Sequence, residues 1–291
     1  MFKLNQNRSL TSGITTLFLI CMTSFVVKAG TIVVDSTSAT MGTISLRTAI
    51  ATAISGDTIT FSSDIDGDTI HLITQINLDT NLVIIGNGIT NTIIDGMDNS
   101  RIFEITIGDT VLISGMTVQN GNETEGGAIL NAGAMQIVNS RIVDNTAESG
   151  GGVQNFDGTA AFTNTIIAGN SATVTGGGVF NQTSDSITFI NCIISGNSAN
   201  SGAGVEHFLG TATFTNSTIS GNSAPSGEGG GVGNRNGTAI FVNTIVAKNI
   251  ALIGPDIYDQ SNGVIMDNGN NLIGDTSDVG GLFTMSIYLG Q

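Results

Sequence analysis

The chain has no tryptophan, two prolines and two cysteines, and only 8 of its 291 residues are lysine or arginine. Each scarcity excludes something. With Pro225 and Pro255 the only prolines, and no Ser-rich or charged linker, nothing divides the chain into domains. Against 23 acidic residues the net charge is −15, and no basic stripe exists to meet phosphates, so nucleic acid is excluded as a partner. Polyanionic polysaccharides are disfavoured too, unless divalent cations bridge them. Long apolar runs are missing as well. Ile14 to Val27 comes nearest, but it is short and broken by Thr and Ser, which argues against a spanning helix.

That segment reads instead as a secretory signal over residues 1–29. Lys3 and Arg8 supply the positive start, and Val27-Lys-Ala29 supplies small residues at the cleavage positions. A lipoprotein reading through Cys21 fits poorly, because the bulky Ile20 precedes it. Cleavage leaves Cys192 as the one cysteine, so no intramolecular disulfide supports the fold. It also leaves Arg47, Arg101, Arg141, Arg235 and Lys248 as the whole basic complement. The expected location is secreted or cell-surface, without a transmembrane span.

What the chain has in abundance is glycine, 40 residues of it, and much of it recurs on a fixed period. Five copies of a phrase open at Gly126, Gly150, Gly176, Gly202 and Gly229, which are 24, 26, 26 and 27 residues apart. Each begins like Gly176-Gly-Gly-Val179 and closes like Phe162-Thr-Asn-Thr-Ile-Ile-Ala-Gly-Asn170. A period of this size marks a solenoid, whose units bury their apolar faces only by stacking on one another. Short β-branched runs bounded by Gly and Asn read as strands and turns. Leu is absent from the fixed positions a leucine-rich repeat needs, and frequent glycine excludes helical repeats. The predicted fold is all-β: a right-handed parallel β-helix with about three short strands per turn, spaced roughly 4.8 Å. Seven or eight turns are expected.

Aligned copies produce columns. Ile137, Phe162, Phe189, Phe214 and Phe241 form an apolar one. Asn139, Asn164, Asn191, Asn216 and Asn243 form a second, and Asn145, Asn170, Asn197, Asn222 and Asn249 a third. A fourth polar column reads Asn131, Asn155, Asn181, His207, Asn234. Asn tolerates left-handed turns, and stacked amides satisfy one another, so these columns are read as structural ladders. His207 is then a ladder substitute. Ser45-Leu-Arg-Thr-Ala-Ile50 has helical apolar spacing with a capping Ser45, and is expected to lid the N-terminal end. Asp57-Thr-Ile-Thr-Phe61 would be the first strand. The resulting division is a signal at 1–29, a cap at 30–62, the β-helix at 63–281 with its regular repeats at 126–251, and an atypical end at 282–291 that reads as truncated.

Catalysis on such a scaffold would need converging carboxylates or a base beside them. The candidates are Asp157, Asp185, Glu206, His207 and Arg235, each a few residues after the Gly-Val start of its turn. Their offsets differ, which fits variable turns better than one site. Asp64, Asp66 and Asp68 form a possible calcium loop, but the remaining ligand spacing of an EF-hand is missing. No other cofactor is indicated. Ice binding would want a regular Thr-x-Thr face, and Thr211-x-Thr213 is not repeated in register on most turns.

Ser45-Leu-Arg-Thr-Ala-Ile50, Gly56-Asp-Thr-Ile-Thr-Phe61, Ser100-Arg-Ile-Phe103, the Gly-Gly-Gly-Val and Asn216-to-Asn222 phrases and Asn270-Asn-Leu-Ile-Gly274 together resemble secreted bacterial right-handed β-helix proteins. Gly126-Gly-Ala-Ile129 is similar, more distantly, to the repeats of the polymorphic outer-membrane proteins, although the partner motif here is Phe-x-Asn where that family has Phe-x-x-Asn. The resemblance covers most of the mature chain. It implies export, a surface or extracellular role that is often adhesion-like, and no defined catalytic residues. The expected function is therefore non-catalytic binding of an extracellular surface ligand or carbohydrate. The alternative is a polysaccharide lyase or glycoside hydrolase on the same fold.

Overall fold

Each repeat folds as one turn of a parallel β-helix. The computed structural model describes residues 29–38, 42–260 and 262–275 and contains about nine turns. The expected signal up to residue 28 and the atypical end at 282–291 lie outside the described residues. Three sheets run the length of the stack. Sheet I has ten strands, from Thr31–Val34 to Val264–Asp267; sheet II has eight, from Ile76–Leu78 to Ile257–Asp259; sheet III has nine, from Thr69–His71 to Leu272–Ile273. Two short edge pairs, Thr146–Ser149 with Ser171–Thr175 and Ser223–Glu228 with Ile250–Ile253, add to these and carry the register irregularities.

One turn illustrates how sequence dictates the path. Thr159–Thr163 lies in sheet I, and Asn164 then takes the left-handed conformation, with φ 51°. That bend turns the chain into Ile166–Ala168 of sheet III. The five Asn of this column have φ between 49° and 53°, a conformation that short polar side chains tolerate and branched ones do not. Their amides face solvent and bond along the stack, for example Asn164 Nδ2 to Asn139 Oδ1 at 2.9 Å. After Asn170 and the edge strand comes Gly176, with φ 65°. At Gly177 a Cβ would press on the Ser198 and Ala203 carbonyls of the next turn. The glycine run is therefore imposed by both conformation and contact, and it delivers the chain into Val179–Asn181 of sheet II.

The interior is a set of stacked columns. Phe162, Phe189, Phe214 and Phe241 are fully buried, with centroids 4.9–5.0 Å apart and planes within 8°. The column continues upstream as Ile137, Ile113, Ile84, Ile59 and Ile32. This explains why the expected seven or eight turns become about nine: any β-branched residue fills the column, so early turns keep the packing and lose the Phe and Asn signature. Sheet I also begins earlier than expected, because Thr31–Val34 pairs in register with Asp57–Phe61.

The helix Leu46–Thr52 starts where the capping pattern places it. The Ser45 hydroxyl accepts from the Thr48 N–H, and Leu46, Ala49 and Ile50 are buried in the common core. Arg47 ties the helix to the following turn by donating to the Thr74 and Gln75 carbonyls.

Candidate functional site

The buried Asn column is a continuous amide ladder. Asn145, Asn170, Asn197 and Asn222 each donate Nδ2 to the Oδ1 of the next Asn at 2.8–3.0 Å. The same Oδ1 also accepts the preceding Asn's backbone N–H, at 3.0–3.1 Å. The series ends at Asp256, whose Oδ1 accepts from both nitrogens of Asn249. Every polar group in the row is spent on the fold.

His207 occupies the corresponding place in the sheet II column. Asn131 bonds to Asn155 at 2.6 Å and Asn155 to Asn181 at 2.7 Å. Asn181 Nδ2 then donates to His207 Nδ1 at 3.1 Å. The imidazole therefore carries its proton on Nε2, which donates to the Gly210 carbonyl at 3.2 Å. Burial pulls its pKa down to about 4, so the ring is neutral at pH 7. Gly237 is required beneath it, since a Cβ there would strike the imidazole.

Glu206 precedes His207 in the strand, and adjacent strand residues point to opposite faces. Its carboxylate is nonetheless buried, wedged where a Cβ at Gly202 or Gly233 would collide with Oε2. Arg235 Nε pairs with Oε1, and the Ser201 hydroxyl donates to Oε2 at 3.0 Å. Arg235 Nη2 also reaches Ser201 Oγ at 2.7 Å and Glu228 at 3.3 Å, and the guanidinium lies over the Tyr258 ring. Desolvation pushes the Glu206 carboxyl upward against the opposing pull of Arg235. The group is an ion-pair network across two adjacent turns, covered by the Tyr258 ring of a third.

Asp157 and Asp185 lie elsewhere, on the loops leading from sheet II to sheet I. With Asp109 they line a shallow hollow of about 350 Å³. The five residues proposed together from sequence thus separate into a buried ladder histidine, a closed Glu206–Arg235 pair and a groove holding the two aspartates. Two exposed residues of these loops, outside the lining of the hollow, escaped the sequence reading. Phe156 and Phe208 stand on these same loops with 47% and 37% of their surface exposed, whereas the stacked Phe column is fully buried. Each directly follows a member of the sheet II polar column, and that repeated offset was the available signal.

The acidic turn does not gather its carboxylates. Asp64 accepts from the Ser62 hydroxyl, while Asp66 accepts from Asn87 Nδ2 at 2.6 Å. Among the described residues no group of three His, Cys, Asp or Glu side chains could hold a metal ion. Two hollows of about 630 and 660 Å³ flank the capping helix, and the cation they share, Arg47, is committed to backbone carbonyls. Cys192 is buried with Sγ on the Phe162 and Ile190 carbonyls, both at 3.4 Å. Burial raises its thiol to about 11, so it does the work of the Ser and Thr at that position and is not a reactive thiol. Among the described residues no helix is long and apolar enough to cross a membrane. No family model matches the chain, and no curated protein matches it either.

Proposed function

We propose that the protein is a secreted or cell-surface β-helix that binds an extracellular surface or carbohydrate without catalysis, as the resemblance to exported bacterial β-helix proteins implies. The observation that carries this reading is the occupation of the candidate catalytic groups. His207 is neutral and enclosed, and Glu206 is sealed by Arg235, Ser201 and two glycines. The lateral faces instead offer small hydroxyl and β-branched side chains in register, such as Thr211, Thr213 and Thr215 beside Ser186, Thr188 and Ile190. Long flat faces of this kind suit contact with an extended partner.

A carbohydrate-active enzyme is the second reading, favoured by one observation: Asp157 and Asp185 share a hollow with Asp109, and glycoside hydrolysis needs paired carboxyl groups. Binding is tested with the full chain expressed in a Gram-negative host, followed by retention of the exported product on cellulose, chitin and mucin-coated beads. The expected outcome is cleavage near Ala29, export, and salt-resistant retention on at least one surface. A cytoplasmic, uncleaved chain would contradict the secretory assignment. Passage through all three columns would contradict the binding role.

A further inference from the structure

The loops from sheet II to sheet I combine exposed aromatic rings, a shallow hollow lined by carboxylates, and a single cation, Arg235, that is already paired with acids. We propose that they bind an extended, uncharged β-linked polysaccharide, with Phe156 and Phe208 as stacking platforms. This rests on the carbohydrate-binding reading above and names the ligand class and the residues.

The spacing of the two rings matches such a chain. The position after the sheet II polar column repeats once per turn. Phe156 N–H donates to the Asn131 carbonyl, Gln182 N–H to Asn155, Phe208 N–H to Asn181 and Arg235 N–H to His207, at 2.8–3.0 Å. Phe156 and Phe208 are therefore two turns apart, roughly 10 Å at the parallel-strand spacing. That is the length of a disaccharide unit in an extended β-linked chain, in which every second sugar presents the same face. Two rings at this interval stack on equivalent sugars of one chain lying along the solenoid axis.

The setting of the rings points the same way. Among the described residues Phe103, Phe162, Phe189, Phe214 and Phe241 have no exposed surface, and Phe180 is half-buried. Gln182 lies between the two platforms and accepts from Gln154 Nε2 at 3.3 Å. Gln154 is 1% exposed, and its Oε1 has no hydrogen-bond partner among the described residues. An aromatic face beside the exposed Gln182 amide matches a sugar ring, which is apolar on its C–H face and rimmed by hydroxyls. Charge sets the class. The hollow on the same loops is lined by Asp109, Asp157 and Asp185 and by no Lys or Arg, while Arg235, next in the column, is neutralised by Glu206 and Glu228. Carboxylates accept from hydroxyls and repel uronic acids.

The test is calorimetric titration of the mature chain with cellohexaose, xylohexaose and chitohexaose, with hexagalacturonate as the charged comparison. Saturable binding of at least one neutral hexamer is expected, weakened roughly tenfold or more in a Phe156→Ala, Phe208→Ala double variant and preserved in the Phe156→Tyr, Phe208→Tyr variant. Three results would overturn the proposal: no binding of any neutral hexamer, unchanged binding by the alanine variant, or equal affinity for hexagalacturonate. Retention of the alanine variant on the insoluble surfaces would sink the assignment to Phe156 and Phe208 while leaving surface binding intact, so the two readings fail separately.

Discussion

At the scale of single residues, His207 shows how the same group reads as catalytic or structural depending on its hydrogen bonds. Its alignment with Asn131, Asn155, Asn181 and Asn234 was legible in the sequence. Its tautomer and the space Gly237 leaves for it were not, because both depend on the neighbouring turn. The histidine also interrupts the ladder: Asn234 Oδ1 is buried with no hydrogen-bond partner among the described residues. Because the folded pKa is depressed from 6.5 to about 4, the unfolded state binds the extra proton first. The stability this neutral imidazole contributes is complete above pH 6.5 and is lost progressively as pH falls to 4, amounting to roughly 3 kcal/mol. His207→Asn is expected to remove that component and give Asn234 Oδ1 a donor. Chemical denaturation from pH 7.5 to 4 should then show a flatter acid limb for the variant. An acid limb as steep as that of the wild type would show that other groups govern it.

The elements are stabilised by columns that no single turn possesses. The five-residue strands of sheet I place one ring per turn at the same height, so removing one ring opens a gap between two others. Phe214→Ala should cost about 3–5 kcal/mol. Phe214→Leu should cost clearly less, because upstream turns fill the same column with Ile. Urea unfolding monitored by far-ultraviolet circular dichroism checks the order, and equal losses would argue against a tightly packed stack. The periodicity made these strands and the Asn turns readable, since Phe, Asn and Gly recur where packing, left-handed backbone and close contact demand them. Early strands were harder to place. Thr31–Val34 meets its requirement with ordinary Ile and Val, and such residues leave no signature to count.

At the scale of the whole molecule, the fold follows from the repeat, whereas the surface does not. Repetition is enforced inside, where each column must match its neighbours, and relaxed on the loops, where Phe156, Asp157, Asp185 and Phe208 sit. Five polar residues at unequal offsets in their repeats fit variable turns better than one site, and in the structure one turns inward, two pair with each other and two line a hollow. The role proposed for this arrangement is to bind without turning over a substrate. It is tested most directly by assaying new reducing ends when the mature protein, with calcium, is incubated with cellulose, xylan, chitin, alginate and polygalacturonate. The assay is repeated with an Asp157→Asn, Asp185→Asn variant. The expected result is no release above the protein-free blank from either protein. Release by the wild type that vanishes in the variant would contradict the claim and place hydrolysis in the groove; release by both would contradict it and place the chemistry elsewhere.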